Sequence, residues 1–124
     1  MTVKEVVEKV YDSFETGDME TFASLWDEND SIICNGTHKF SGVYKGVENW
    51  IQNMIAHLTT QFDGFKVIPQ QMIEEEDRVF VQTNVTATGM DFNAGHFFIL
   101  KNGKIKEFHL YGDSQKFADN IKDR

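Results

Sequence analysis

Residues 92–111 read FNAGHFFILKNGKIKEFHLY and contain two β-favouring stretches on either side of one turn. Apolar and aromatic residues dominate Phe92–Leu100 and Ile105–Tyr111, and Lys101-Asn102-Gly103 lies between them. Asn-Gly is a strong signal for a tight hairpin turn, because both residues adopt positive φ readily. This segment therefore predicts an antiparallel hairpin at the C-terminal end of the chain.

Two more strands precede this hairpin. Residues Phe65–Ile73 and Val79–Thr88 alternate with a period of two, and the charged run Glu74-Glu75-Glu76-Asp77 between them is typical of a solvated turn. Pro69 cannot donate a ladder hydrogen bond, so we expect its strand to lie at a sheet edge or to be bulged there. The second half of the chain thus predicts a four-stranded antiparallel meander.

The first half is predicted to be mainly helical. Apolar residues from Val3 to Phe14 recur at i, i+3, i+4 and i+7, Gly17 ends this helix, and Asp18 is placed to cap a short second one. The same spacing over Val47–Leu58 predicts a third helix. Asp27-Glu28-Asn29-Asp30 is interpreted as a polar turn.

Short extended pieces are expected at Ser31–Asn35 and Phe40–Tyr44, and a terminal helical turn at Ser114–Ile121. Helices followed by a meander predict an α+β fold in which one face of a curved sheet closes over the helices.

Composition excludes several classes of function. Twenty acidic residues against twelve basic ones give a net charge of −8, which argues against nucleic acid and anionic membrane partners. No apolar run is long enough for a spanning helix, and we expect a cytoplasmic protein. Cys34 is the single cysteine, so neither a disulfide framework nor a cysteine-based metal site is expected. Eleven phenylalanines indicate a core or cavity lined by rings.

Three local motifs carry a family resemblance. They are Phe14-Glu15-Thr16-Gly17-Asp18, the pair Phe40-Ser41-Gly42 and Lys45-Gly46, and Asn102-Gly103-Lys104-Ile105 continuing to Tyr111-Gly112-Asp113. Their order and spacing resemble the nuclear transport factor 2-like superfamily, in particular its SnoaL-like and ketosteroid-isomerase-like branch. The resemblance covers nearly the whole chain and implies one domain over residues 1–124. It also implies a cone-shaped α+β barrel with a deep apolar pocket, dimerisation through the outer sheet face, and no cofactor.

Asp113 is the candidate catalytic residue. It matches the strand-end Asp that acts as acid or base in SnoaL-like cyclases and limonene epoxide hydrolases, and a carboxylate at the mouth of an apolar pocket suits proton transfer near neutral pH. The competing interpretation is an N-cap for the terminal helical turn, because Asp-Ser precedes a helical segment.

Three amides are candidate substrate-binding residues. Asn35 matches the general-base Asp of ketosteroid isomerases, but an amide cannot abstract a proton, so it could only hold a water or a carbonyl, or else serve as a turn residue. Gln82 and Asn84 approximately match the Arg and Asp of the epoxide-hydrolase triad. Both are neutral, so the hydrolase mechanism is disfavoured.

The oxyanion hole of the steroid isomerases has no predicted counterpart. Its Tyr and Asp would fall at Val10 and Gly95, so Tyr11 is interpreted as core or pocket rim. His96 is predicted, with His109, to lie on the outer sheet face or at a dimer interface. Two histidines without a third ligand make a poor metal site, and none is expected.

The remaining candidate pocket residues are large apolar side chains: Trp50, Met54, Phe97, Phe108 and Leu110. Two functions remain open. One is cofactor-free acid–base catalysis on a small apolar substrate, with Asp113 as acid or base. The other is a non-catalytic dimeric module that binds an apolar ligand or associates with another protein.

Overall fold

The structure is a computed structural model that describes residues 1–123. Its elements in chain order are α1 (Val3–Thr16), α2 (Met19–Ser24), β1 (Trp26–Cys34), β2 (Gly42–Lys45), α3 (Val47–Asn53), α4 (Leu58–Gln61), β3 (Lys66–Glu75), β4 (Arg78–Ala87), β5 (Met90–Lys101), β6 (Lys104–Tyr111) and α5 (Ser114–Asn120), with one 3₁₀ turn (Ile55–His57) between α3 and α4. No helix within residues 1–123 combines the length and the apolar character that crossing a membrane requires.

One six-stranded sheet organises the molecule. Its strand order is β2-β1-β6-β5-β4-β3, and all neighbours are antiparallel except β1 and β6, which run parallel. The α+β prediction is confirmed. The prediction for Pro69 is confirmed too, because β3 is an edge strand and its register shifts between Pro69 and Gln71.

Helix α1 lies against the inner face of this sheet and begins and ends as its sequence predicts. Thr2 and Glu5 form a capping box, in which each side chain accepts from the other residue's backbone N–H. Gly17 ends the helix with a φ of 74°, a conformation that costs other residues a steric penalty. The inward face, Val6, Val7 and Val10, is buried. Two ends and one apolar face thus fix where α1 places its other side chains.

Two segments differ from their predictions. Residues 27–30 lie within β1 instead of forming a turn, and the polar sequence is accommodated by a register shift between Trp26 and Ser31. Asp30 is buried there, and its carboxylate accepts from the backbone N–H groups of Gly46 and Val47 at the start of α3. The single helix predicted after residue 46 is broken into α3, the 3₁₀ turn and α4.

Candidate functional site

A cavity of about 80 Å³ lies between the helices and the inner face of the sheet. Its walls come from α1, α2, β1, α3 and the inner faces of β3 to β6, and α5 borders it at one end. Almost all of the lining is apolar. Asp113 is the only exposed residue among those that line it within the described chain, so the cavity opens towards the start of α5.

Six of the predicted site residues line this cavity. Four are apolar and lie along its walls, namely Trp50, Met54, Phe108 and Leu110. The other two, Asn35 and Asp113, lie where it opens. The structure therefore brings these six side chains together around one space.

The other three predicted site residues do not reach the cavity. Gln82 and Phe97 lie on the outer face of the sheet, and Asn84 donates there to Asp91 Oδ1 at 2.9 Å. The prediction placed them on the wrong face, because side chains alternate along a strand and the inner parity of β4 belongs to its β-branched residues. Those inner residues are Val79, Val81, Thr83 and Val85, all buried.

We call the residues around the opening, Asn35, His38, Gly112, Asp113 and Ser114, the cavity mouth. Asn35 and Gly112 form a reciprocal pair: Asn35 Nδ2 donates to Gly112 O, and Gly112 N donates to Asn35 Oδ1, both at 3.0 Å. This pair joins the end of β1 to the segment that enters α5. Both the Nδ2 and the Oδ1 of Asn35 are therefore hydrogen-bonded to the backbone of Gly112.

Asp113 caps α5, as the competing interpretation expected. Its Oδ1 accepts from the backbone N–H of Lys116 at 3.0 Å, and the side chain is exposed. His38 is likewise engaged, since its Nδ1 accepts from Phe40 N at 3.1 Å, and its ring packs on Phe117. Burial lowers the pKa of His38. The mouth is thus built from polar groups that hold backbone in place.

Tyr11, Trp26 and His96 are buried residues of the cavity lining, and we call these three the cavity floor. Each is at least nine-tenths buried, with exposures of 7%, 5% and 7%. The Tyr11 hydroxyl and His96 Nδ1 are 2.6 Å apart. Burial lowers the pKa of His96 to about 4 and raises the pKa of Tyr11 well above its ordinary value. At neutral pH both groups are therefore uncharged.

The Tyr11–His96 pair corrects one prediction. His96 lies on the inner face instead of the outer one, and its ring packs between Phe98 and Phe108. Tyr11 is buried and lines the cavity, in agreement with its interpretation as core or pocket rim.

The two tryptophans of the cavity differ in how their N–H groups are used. Trp50 Nε1 donates to Met54 Sδ at 3.0 Å, and Met54 Sδ also accepts a hydrogen bond from the Cys34 thiol at 3.8 Å. Burial raises the pKa of that thiol to about 12, so it stays protonated. Trp26 Nε1 is buried and has no hydrogen-bond partner anywhere in residues 1–123. The floor therefore contains a donor that the chain itself does not satisfy.

The outer face of the sheet carries a row of cross-strand neighbours, which we call the outer row. Ile73 pairs with Phe80, Phe80 with Phe97, Phe97 with His109, and His109 with Ile33. Ile73 is 57% exposed and Phe80 is 38% exposed. An exposed row of this kind is typical of an interaction surface.

No group of three or more His, Cys, Asp or Glu side chains in the described part of the chain is arranged to hold a metal ion. The polar groups of the floor are one phenol, one neutral imidazole and one indole. Together they can donate hydrogen bonds to a neutral molecule.

Comparison with known proteins places this geometry in a family. A family model described as a SnoaL-like domain matches residues 7–108. Bal32a, from a soil-derived mobile gene cassette, is 27% identical, with a TM-score of 0.86 over 97% of this chain and 96% of that one. The search of curated proteins found no match.

Two further solved structures are similar at lower identity. A nuclear transport factor 2-like protein from Burkholderia thailandensis E264 is 16% identical, with a TM-score of 0.86 over 97% of each chain. A hypothetical protein with a ketosteroid isomerase-like fold from Catenulispora acidiphila DSM 44928, in complex with trimethylamine, is 12% identical. Its TM-score is 0.77 over 97% of this chain and 94% of that one.

Proposed function

The chain belongs to the SnoaL-like domain family, and on that basis we propose that its cavity binds a small, uncharged, largely apolar molecule. The observation that carries the proposal is the buried Tyr11–His96 hydrogen bond in the wall of an otherwise apolar cavity. In most small-molecule sites, apolar walls supply the affinity and a few fixed polar groups orient the ligand.

Charge and size both narrow the ligand. The floor offers no ionised partner, because Tyr11 and His96 are both neutral at neutral pH, so a buried charged group would lose its hydration without compensation. A cavity of about 80 Å³ favours compact molecules.

Filling the cavity tests this proposal. Ala94 lines it and is buried, so Ala94→Leu places three further carbons in the ligand's space. We expect this variant to lose at least tenfold in affinity for cyclopentanone, measured by NMR titration. Ala87→Leu is the matched control, since Ala87 lies on β4 outside the lining and should leave affinity unchanged. Cyclopentanone affinity that is equal in both variants contradicts the proposal.

Acid–base catalysis by Asp113 is the second candidate function. It is favoured by one observation, that this carboxylate lines the cavity mouth. An Asp113 base would take a proton from the carbon beside the ketone and return a deuteron from deuterium oxide. NMR detects the loss of the ligand's α-proton signal. Exchange that is faster with the wild type than with Asp113→Asn supports catalysis, whereas equal rates support binding alone.

We propose that the chain forms a homodimer through the outer face of its sheet. Support comes from the outer row, because Ile73 and Phe80 remain exposed although both are large and apolar. Phe80→Glu places a charge in the middle of this row and should shift the mass measured by light scattering from dimer to monomer. A Gln52→Glu control adds a charge at an exposed position on α3, away from the sheet. Wild-type protein that is monomeric at all concentrations contradicts this proposal.

A further inference from the structure

The sequence contains the dipeptide Asn-Gly twice, in two different surroundings. Asn35-Gly36 follows β1 at the cavity mouth, and Asn102-Gly103 forms the turn between β5 and β6. A glycine after asparagine leaves its backbone nitrogen unshielded, because glycine has no Cβ. That nitrogen is the group that attacks the asparagine side chain when the amide is lost spontaneously. The two dipeptides are therefore a matched pair that shows where the fold permits this reaction.

Asn35 is held away from this reaction. Its Nδ2 and Oδ1 are both hydrogen-bonded to the backbone of Gly112, and its own backbone N–H donates to Leu110 O. Gly36 is closely packed, since a Cβ at this position would lie 2.5 Å from Ser114 Cβ. Turning the Asn35 amide towards the Gly36 nitrogen breaks both side-chain hydrogen bonds. For two bonds of ordinary strength, this slows the reaction by about thirtyfold.

Asn102 is much less restrained. Asn102 and Gly103 are both exposed, and they lie beyond the last paired residues of the hairpin, Lys101 and Lys104. Within residues 1–123, the Asn102 side chain has no counterpart of the two hydrogen bonds that hold Asn35. Apart from the chain neighbours of Gly103, nothing in this range lies within 4 Å of the position that a Cβ on Gly103 would take. The turn therefore has room to reach the reactive conformation.

We propose that Asn102 is a site of spontaneous deamidation in the folded protein, and that the cavity mouth protects Asn35 from the same modification. In the first step, the Gly103 backbone nitrogen loses its proton and forms a bond to Asn102 Cγ. The bond between Cγ and Nδ2 then breaks, and the amide nitrogen leaves as ammonia after taking up a proton. Water opens the resulting succinimide ring at either carbonyl, and the product is aspartate or isoaspartate.

The modification changes the turn in two ways. Either product places a carboxylate between Lys101 and Lys104, which makes the net charge of −8 more negative. Isoaspartate also carries the backbone through the former side chain, and this lengthens a turn whose tight geometry the Asn-Gly pair sets. None of residues 101–104 lines the cavity, so this inference is independent of the proposed ligand.

The test follows both asparagines in one sample. Wild-type protein is incubated at mildly alkaline pH with and without urea, and a protease that cleaves after Glu then releases residues 29–48 and 77–107. Mass spectrometry measures the conversion of amide to acid, and fragmentation assigns it to a single asparagine. In urea we expect similar rates at Asn35 and Asn102. In buffer we expect Asn102 to react faster than Asn35, which should be slowed by at least about thirtyfold relative to urea.

Gly103→Ala is the control for the chemistry. Measured in urea, where the folding of the variant does not matter, it should slow the reaction at Asn102 and leave Asn35 unchanged, because a Cβ shields the attacking nitrogen. Native wild-type protein in which Asn102 reacts no faster than Asn35 overturns the proposal, since the exposed turn would then protect its asparagine as well as the mouth does. A rate at Asn35 that is the same in buffer and in urea overturns the protection assigned to the mouth.

Discussion

The floor and the mouth of the cavity both contain polar side chains, yet they use their hydrogen-bonding capacity in opposite ways. At the mouth, Asn35 and Asp113 are occupied with backbone groups that join β1 to α5. At the floor, Trp26 and the Tyr11–His96 pair retain donors without acceptors in the described chain. The comparison teaches that a position near the cavity opening does not by itself identify a ligand-binding residue. A buried polar group that still has an unused hydrogen-bond donor is the stronger indication.

The largest expected effect concerns the floor and depends on pH. The pKa of His96 is lowered to about 4 in the folded protein from 6.5, so between these values the unfolded chain binds a proton that the folded one does not. The contribution of neutral His96 to the free energy of unfolding is therefore fully present above pH 6.5 and is lost as the pH falls towards 4. The loss is on the order of 3 kcal/mol, measured by urea unfolding across this range.

His96→Gln serves as the control for this pH effect. It removes the titrating ring and should flatten the stability curve between pH 6.5 and 4, whereas His57→Gln alters an exposed histidine and should leave the slope intact. Burial raises the pKa of Asp30, which acts in the opposite direction in both proteins, so the difference between wild type and His96→Gln isolates the floor. Parallel curves for these two proteins would refute a buried neutral His96.

The second effect concerns the mouth. Asn35→Ala removes both hydrogen bonds to Gly112 and should lower the free energy of unfolding by about 2 kcal/mol, since each such bond contributes about 1. Asn93→Ala, at an exposed position on β5, should cost much less. The measurement is urea unfolding at pH 7. Affinity for cyclopentanone should not change, and a change would mean that Asn35 contacts the ligand.

The third effect compares the floor with a hydrogen bond elsewhere. Tyr11→Phe and Tyr44→Phe each remove one hydroxyl contact, to His96 Nδ1 and to Phe40 O respectively, and each should cost about 1 kcal/mol of stability. Only Tyr11→Phe should also weaken cyclopentanone binding, by about fivefold for one hydrogen bond in a site. Equal affinity of the two variants for cyclopentanone would show that the Tyr11–His96 pair does not contact the ligand.

The sequence predicts the elements of this molecule better than their faces. The Asn-Gly hairpin, the capped first helix and the strand around Pro69 follow from local rules that hold in the structure. Local rules do not predict which face of β4 and β5 is buried, because each face carries both apolar and polar residues. An error of one residue in the alternation then assigns every side chain of the strand to the wrong face. Gln82, Asn84 and Phe97 were misplaced for this reason.

The floor could not have been found from local patterns. Tyr11 and His96 are 85 residues apart, and their contact depends on where α1 crosses the sheet. The unsatisfied Trp26 N–H is a property of its surroundings and not of its own segment. Asn35 and Asp113 were found because family resemblance points to fixed positions, but resemblance alone did not reveal that their hydrogen bonds go to backbone.

The smallest expected effect returns to the mouth. Asp113→Asn keeps a side-chain oxygen that can cap α5, because Asn is as good an N-cap residue as Asp, so stability should change by less than about 0.5 kcal/mol. Affinity for cyclopentanone should stay within about twofold, since a compact ligand whose oxygen lies at the floor does not reach the exposed carboxylate. NMR titration measures this affinity. A tenfold loss would place the ligand against Asp113 and reverse the assignment of binding to the floor.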